Sequence, residues 1–129
     1  MKRRTAREKA MQSLFQLEMN ETDPELAIRA VLGTAKSDSF LMSLVEGVSN
    51  NKDTLDAVIR QHLADWTLDR IATTEKVILR ISVYEMNHLP DIPESVSINE
   101  AVELAKKYGN DKSGQFVNGV LSKIIHNKG

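Results

Sequence analysis

The chain has 129 residues, of which 41% are hydrophobic and 27% are charged, and its formal net charge is −1. This balance is typical of a globular protein, and the length suits one compact domain or two small packed subdomains. The absence of cysteine excludes a disulfide framework, thiolate metal ligation and a cysteine nucleophile, and no apolar run approaches the ~18 residues of a membrane span.

Positive charge is concentrated at the start of the chain. The first nine residues, MKRRTAREK, contain five basic side chains and one acid, so the remainder of the chain is net acidic. This asymmetry favours a local anion site over a uniformly cationic nucleic-acid binder. Polar residues interrupt the apolar stretch that follows, and Glu8 and Glu18 lie within it. Because a signal peptide has a continuous apolar core and a transit peptide lacks acids, we interpret the segment as part of the folded protein.

Helical periodicity dominates the chain, and no stretch alternates with the period of two that indicates a strand. The first helix is predicted from about Arg4 to Met19. Asp23 before Pro24 predicts the start of a second helix, and Gly33 predicts its end. A third helix begins with a cap at Ser37 or Asp38 and is interrupted near residue 50, and a fourth carries apolar residues from 55 to 66.

The second half of the chain predicts three more helices, at about 74–89, 97–108 and 111–126. Ser97, followed three residues later by Glu100, indicates a capping box at the start of the sixth helix, and Gly109 indicates its end. Seven helices in two successive groups predict an all-α fold of two packed bundles, with subdomains of about 1–66 and 67–129.

The predicted helix 74–89 is apolar nearly all round. Val77, Ile78 and Ile81 lie on one face, and Leu79 and Met86 lie on another, beside Glu75. Such a helix is either central in the fold or covered by a partner. Central placement between the two subdomains is the default interpretation, and contact between the second face and a partner protein is the sharper alternative.

No group of residues predicts catalysis. The three histidines lie near three different helix ends, and His62 with Asp65 is a pair without a further metal ligand. The six glycines are scattered and form no phosphate-binding loop. We therefore expect no catalytic site, no metal site and no cofactor.

The first helix carries a pattern that suits nucleic acid. A rotation of 100° per residue places Arg4, Met11 and Phe15 in a stripe beside the core stripe, and Arg7 lies between the two stripes. An aromatic ring two to three turns from arginines can stack a base while the guanidinium groups hold phosphate. The alternative is that Met11 and Phe15 form the edge of a wide core and that the arginines are solvated.

The last helix presents the same choice. Phe116 lies at the margin of the apolar stripe on the side of Lys112 and Lys123, and Ser113 precedes it by about one turn. A ring between lysines can act as a stacking platform, although a core phenylalanine with surface lysines is the alternative. Gly119 costs helix stability, so a close helix contact or a close ligand is expected there.

Four stretches of the chain resemble, in order and spacing, the NusB family of bacterial transcription antitermination factors: RRTAREKAMQSLFQLE, EKVILRISVYEM, IPESVSINEAVELAKKYG and SGQFVNGVL. The similarity covers essentially the whole chain. The same fold also occurs as an N-terminal domain of ribosomal RNA cytosine methyltransferases. We expect the free-standing factor, because this chain is too short to contain a methyl-donor domain.

The resemblance implies a cytoplasmic protein that binds the boxA element of leader RNA jointly with NusE, which is also a small-subunit ribosomal protein. It further implies a place in the transcription elongation complex with other Nus factors. The positions that match the family's RNA-contacting residues are Arg3, Arg4, Arg7, Ser113 and Phe116. Lys112 departs from the family pattern, and a lysine there should strengthen contact with phosphate. Glu75 falls on the family's NusE-facing surface, with Tyr84 expected close to it.

These arguments predict two surfaces and leave one alternative open. The predicted RNA-binding residues are Arg3, Arg4, Arg7, Phe15, Lys112, Ser113 and Phe116. The predicted NusE-binding residues are Glu75, Leu79, Tyr84 and Met86. The alternative function is a helical protein-interaction scaffold without intrinsic RNA binding. A homodimer is compatible with the same surfaces, and no membrane association is expected.

Overall fold

Residues 1–128, the part of the chain that the computed structural model describes (only the backbone of Lys128), form seven α-helices and one 3₁₀ turn without any strand. The helices are α1 (Arg3–Met19), α2 (Pro24–Leu32), α3 (Ser39–Asn50), α4 (Lys52–Arg60), α5 (Thr73–His88), α6 (Glu94–Tyr108) and α7 (Asp111–Lys128). The 3₁₀ turn, Leu68–Arg70, lies between α4 and α5. The all-α class is therefore confirmed. No helix within residues 1–128 is long and apolar enough to cross a membrane.

Most helix ends follow local signals in the sequence. Pro24 is the first residue of α2, and Gly33 ends that helix with a φ of 60°. The carboxylate of Asp38 accepts a hydrogen bond from the Leu41 N–H at 3.0 Å, which caps α3 as expected. Gly109 follows α6 directly. These ends were predictable because each depends on a residue's own conformational preference or on a short-range hydrogen bond.

The predicted end of the fourth helix is wrong. α4 ends at Arg60, and the chain then turns through Ala64, which has a φ of 56°. Leu63 is nevertheless buried, whereas Trp66 is exposed. The apolar residue Leu63 therefore marks a buried point in the connecting segment, and its spacing from α4 does not indicate a continuous helix.

The predicted capping box at the sixth helix is also wrong. α6 begins at Glu94, after Pro93 in extended conformation, and Ser97 lies inside the helix. The Ser97 hydroxyl donates to the carboxylate of Glu85 at 3.0 Å, and Glu100 is bound to Arg4. Both side chains make tertiary contacts across long stretches of sequence, so their local spacing was misleading.

α5 is the central helix of the fold. It packs against α1, α3, α4, α6 and α7, and its apolar side chains are buried on both faces. This confirms the default interpretation of a helix that is apolar nearly all round. The buried residues of both halves of the chain form one connected core, and the division into two subdomains near residue 66 stays a prediction.

Leu79 and Met86 are core residues. Leu79 is 0% exposed and Met86 is 7% exposed, so the chain itself covers the face that was considered for a partner. We correct the prediction that these two side chains bind NusE, because neither is accessible while the chain is folded.

A close approach between α3 and α5 depends on glycine. The ring of Tyr84 lies against Gly47 so closely that a Cβ atom at position 47 would overlap it. Tyr84 also stacks on His88, with ring centroids 4.8 Å apart. At Gly119, by contrast, a Cβ atom would meet nothing within 4 Å, so the expected close helix contact is absent among the described residues.

We expect Gly47→Ala to lower the free energy of unfolding by about 1–3 kcal/mol, because the added methyl group forces Tyr84 from its position. Gly119→Ala is the matched control, since it adds the same group in a helix where there is space. It should raise stability by about 0.5–1 kcal/mol. Denaturant unfolding measures both changes, and an unaffected Gly47→Ala protein would contradict the packing described here.

Candidate nucleic-acid interface

Long side chains bridge α1 and α6 along a seam at the surface. Three contacts occur in the same order along both helices: Arg4 with Glu100, Glu8 with Lys107, and Gln12 with Tyr108. The two helices therefore run in the same direction. We call this strip the α1/α6 seam.

Arg7 and Glu85 form a buried ion pair beneath the seam. The Arg7 Nε and Nη2 atoms donate to the two carboxylate oxygens of Glu85, each at 2.8 Å. Arg7 is 4% exposed and Glu85 is 1% exposed, and Ser97 supplies a further hydrogen bond to the carboxylate. We therefore correct the predicted RNA contact of Arg7, because its guanidinium group is enclosed by the fold.

Arg4 lies at the surface of the seam. Its guanidinium group donates to Glu100 at distances from 2.7 to 3.2 Å, while its side chain remains 72% exposed. The hydrogen bond from Arg4 holds the pKa of Glu100 below its ordinary value. An exposed ion pair of this kind is weak and is screened by salt, so a phosphate group can compete for Arg4.

Arg3, at the start of α1, forms no ion pair with a carboxylate among the described residues. Its guanidinium carbon lies 4.6 Å from the centre of the half-buried Phe40 ring, and Arg7 approaches the same ring at 5.2 Å. The residue is exposed. Arg3 and Arg4, but not Arg7, can therefore reach an anion at the surface.

Phe15 is half-buried in a surface groove of about 520 Å³. The groove is lined by Met11, Gln12, Phe15, Gln16, Val31, Thr74 and Tyr108. Met11 is buried, as the core interpretation predicted, whereas part of the Phe15 ring faces the groove. Met11 therefore follows the core interpretation, whereas stacking of a base on the partly exposed Phe15 ring stays a prediction.

Phe116 is half-buried in a second groove, of about 330 Å³, that also contains Lys112 and Glu75. Its ring meets that of Trp66 edge to face, with centroids 6.3 Å apart and 72° between the planes. We call this the Phe116 groove. The groove brings together Phe116 and Lys112, which were predicted to contact RNA, and Glu75, which was predicted to contact NusE.

Ser113 has a local role at the start of α7. Its N–H and hydroxyl lie 2.9 and 3.3 Å from the side-chain oxygen of Asn110. This arrangement satisfies one of the free N–H groups of the first helical turn. A contact with RNA by Ser113 stays a prediction.

Tyr84 and Glu75 do not form one surface. They are nine residues apart on α5, which is about 13 Å along the helix axis. Tyr84 lies between Gly47 and His88, whereas Glu75 lies beside Phe116 and Lys112. The expectation that Tyr84 is close to Glu75 is therefore wrong.

A model of the NusB family matches residues 4–126. The chain belongs to the NusB family. It is 58% identical over 124 residues to the transcription antitermination protein NusB of Bacillus pumilus, an alignment that covers 96% of this chain and 95% of the relative. These findings confirm the resemblance that was based on four sequence stretches.

Solved structures of the NusB family have the same fold. The structure of T. maritima NusB superposes with a TM-score of 0.89 at 32% identity, covering 98% of this chain and 92% of that one. A chain from the crystal structure of the antitermination factors NusB and NusE in complex with dsRNA superposes with a TM-score of 0.87 at 28% identity. The covered shares are 97% of this chain and 96% of that one.

The candidate residues of this NusB-family chain lie at two ends of one strip. Arg3 and Arg4 lie at the end of α1 that meets Glu85, and Phe116 lies near the first turn of α5. Positions 75 and 85 are about 15 Å apart along α5. A single bound nucleotide cannot reach both ends, so the arrangement suits an extended strand. Sequence reasoning missed Trp66, because its apolar spacing was assigned to helix α4.

We expect Arg7→Ala to lower the free energy of unfolding by about 3–5 kcal/mol, because it leaves the charge of Glu85 buried without a partner. Arg4→Ala, which removes the neighbouring exposed guanidinium group, should change stability little. In the double variant Arg7→Met/Glu85→Met, much of the loss should be recovered, since no buried charge remains. Denaturant unfolding compares the three, and equal effects of Arg7→Ala and Arg4→Ala would contradict the assignment.

Proposed function

We propose that this protein is a non-catalytic transcription antitermination factor that binds boxA-type single-stranded RNA together with NusE. The supporting observation is the strip that combines the exposed cations Arg3 and Arg4 with the accessible rings of Phe15 and Phe116. Family membership supports the same conclusion, since curated relatives that are 48% to 58% identical are named transcription antitermination protein NusB. The related chain solved with NusE and dsRNA supports NusE and RNA as partners, and the proposal that the RNA is single-stranded rests on the accessible aromatic rings.

The RNA strand is proposed to run along the α1/α6 seam. Arg3 and Arg4 hold phosphate groups at one end, Phe15 offers a partly open ring midway, and Lys112 with Phe116 receives the other end. Single-stranded RNA is commonly bound in this way, by cations on the backbone and aromatic rings under the bases. Since the whole chain has a net charge of −1, binding depends on this local cationic strip rather than on the total charge.

NusE is proposed to contact the surface that includes Glu75, at the start of α5. The half-buried Tyr84 lies on a different surface, so a contact between Tyr84 and NusE stays a separate prediction. Within residues 1–128, the Glu75 carboxylate accepts one long hydrogen bond, of 3.4 Å from the Ala72 N–H, which leaves carboxylate oxygen available to a partner. We further propose that the protein acts in the cytoplasm, within the elongation complex that contains other Nus factors.

Arg3→Ala/Arg4→Ala should weaken binding of boxA RNA while leaving the buried Arg7 intact. Loss of two phosphate contacts on a single strand should reduce the slope of log affinity against log salt by about 1.4. A mobility-shift series with and without NusE, at several salt concentrations, measures both quantities. Arg29→Ala/Arg60→Ala is the matched control, because it removes two exposed arginines from α2 and α4.

The same series decides between the two functions. RNA affinity that depends on Arg3 and Arg4 but not on the control arginines supports the proposal. A wild-type protein that binds NusE but has no measurable affinity for single-stranded RNA, alone or with NusE, would leave the protein-interaction scaffold as the function.

Phe116→Leu should weaken RNA binding by about 1–3 kcal/mol, because leucine fills the same space but cannot stack on a base. Thermal stability should stay near normal and NusE binding should be intact, since Phe116 is half-exposed at the core margin. Titration of RNA and of NusE, each monitored separately, tests this. If Phe116→Leu binds RNA normally, or unfolds, then Phe116 is a core residue only.

A further inference from the structure

Trp66 forms an exposed aromatic wall of the Phe116 groove. It is 57% exposed, although tryptophan is usually among the more buried residues of a protein. Trp66 and Phe116 meet edge to face with 72° between the ring planes, so the two rings form adjacent, nearly perpendicular sides of an open corner. A flat ligand in this corner can stack on one ring while its edge meets the other.

An ordered turn holds Trp66 in this position. Ala64, two residues earlier, has a φ of 56°, a left-handed conformation that residues other than glycine rarely adopt. The Trp66 N–H donates to the Leu63 carbonyl at 3.0 Å, and the side chains of Leu63 and Leu68 on either side are buried. The exposure of the indole ring is therefore set by the fold, and a ligand that covered the ring would remove a large apolar surface from water.

Two cations face the same groove. Arg70 comes from the 3₁₀ turn and Lys112 from the first turn of α7. Neither side chain forms an ion pair among the described residues, whereas Arg4 and Lys107 on the seam are both paired. The acids Asp65 and Asp69 belong to the same connecting segment but do not line the groove. Aromatic walls with free cations beside them are suited to a base and its flanking phosphates.

We propose that Trp66 and Phe116 together hold one unstacked base of the bound RNA strand, with Arg70 and Lys112 on the adjacent phosphates. This inference rests on the proposed function and adds Trp66 and Arg70 to its binding surface. The cations favour RNA over an apolar protein segment as the occupant, since such a segment would leave both charges without partners. Glu75 also lines the groove and marks the boundary with the proposed NusE surface.

Trp66 is the single tryptophan of the chain, so its fluorescence reports directly on the groove. Wild-type protein is titrated with an unlabelled single-stranded boxA RNA, in the presence of a NusE variant without tryptophan. Stacking of a base on the indole ring should quench the emission with the same midpoint as RNA binding measured by mobility shift. This measurement needs no substitution in the NusB-family chain.

Two substitutions test the energetic contribution of the ring. Trp66→Leu keeps apolar contact with Phe116 but removes the stacking platform, and should weaken RNA binding about 5-fold to 150-fold. Trp66→Phe keeps a stacking ring and should retain most of the affinity. Leu26→Ala is the matched control for an exposed apolar residue, because Leu26 is 63% exposed on α2, and it should leave RNA binding unchanged.

The possible results separate this inference from the proposed function. Quenching together with selective loss of RNA affinity in Trp66→Leu supports the inference. Normal RNA binding with unchanged emission, or equal affinity of Trp66→Leu and wild type, overturns it while the proposed function stands. Weaker binding of Trp66→Leu to NusE in the absence of RNA also overturns it, because the groove would then be a protein contact. Absence of RNA binding by the wild type overturns both.

Discussion

The buried ion pair between Arg7 and Glu85 is the contact on which the candidate surface depends. It joins α1 to α5, and the hydrogen bond from Ser97 to the same carboxylate adds α6. Removing two charges from water is costly, and bidentate geometry with a further hydrogen bond is what offsets that cost. Because three helices meet at Glu85, this pair places Arg3 and Arg4 at the surface and brings α6 alongside α1.

A second buried group of charges holds α5 at another point. Arg80 binds Asp56 of α4 at 2.7 Å and Glu18 of α1 at 2.6 Å. Burial raises the pKa of Glu18, but the hydrogen bond from Lys52 and the charge of Arg80 outweigh it and hold the pKa below its ordinary value. Glu85 of α5 thus binds Arg7 at the start of α1, and Arg80 of α5 binds Glu18 near the end of α1. These two pairs specify one antiparallel alignment of the two helices.

The basic start of the chain therefore serves two purposes. Arg7 contributes to folding and Arg3 and Arg4 remain at the surface, although the three residues are neighbours in sequence. Their rotation around α1 separates them, because 100° per residue turns Arg7 toward α5 while Arg4 points along the seam. Only Arg3 and Arg4 of these three arginines remain accessible in the folded protein, so the proposed RNA binding depends more on the rings of Phe15 and Phe116.

The sequence by itself determined the all-α class, the number of helices, most of their ends, the family and the central position of α5. These features follow from local preferences, from periodicity or from motifs that a single chain displays. Only the tertiary structure decided that Arg7, Leu79 and Met86 are enclosed, that Ser97 bonds to Glu85 instead of capping a helix, and that Trp66 lies beside Phe116. Each of these depends on a partner far away in sequence, and spacing along one helix contains no information about which distant side chain will cover it.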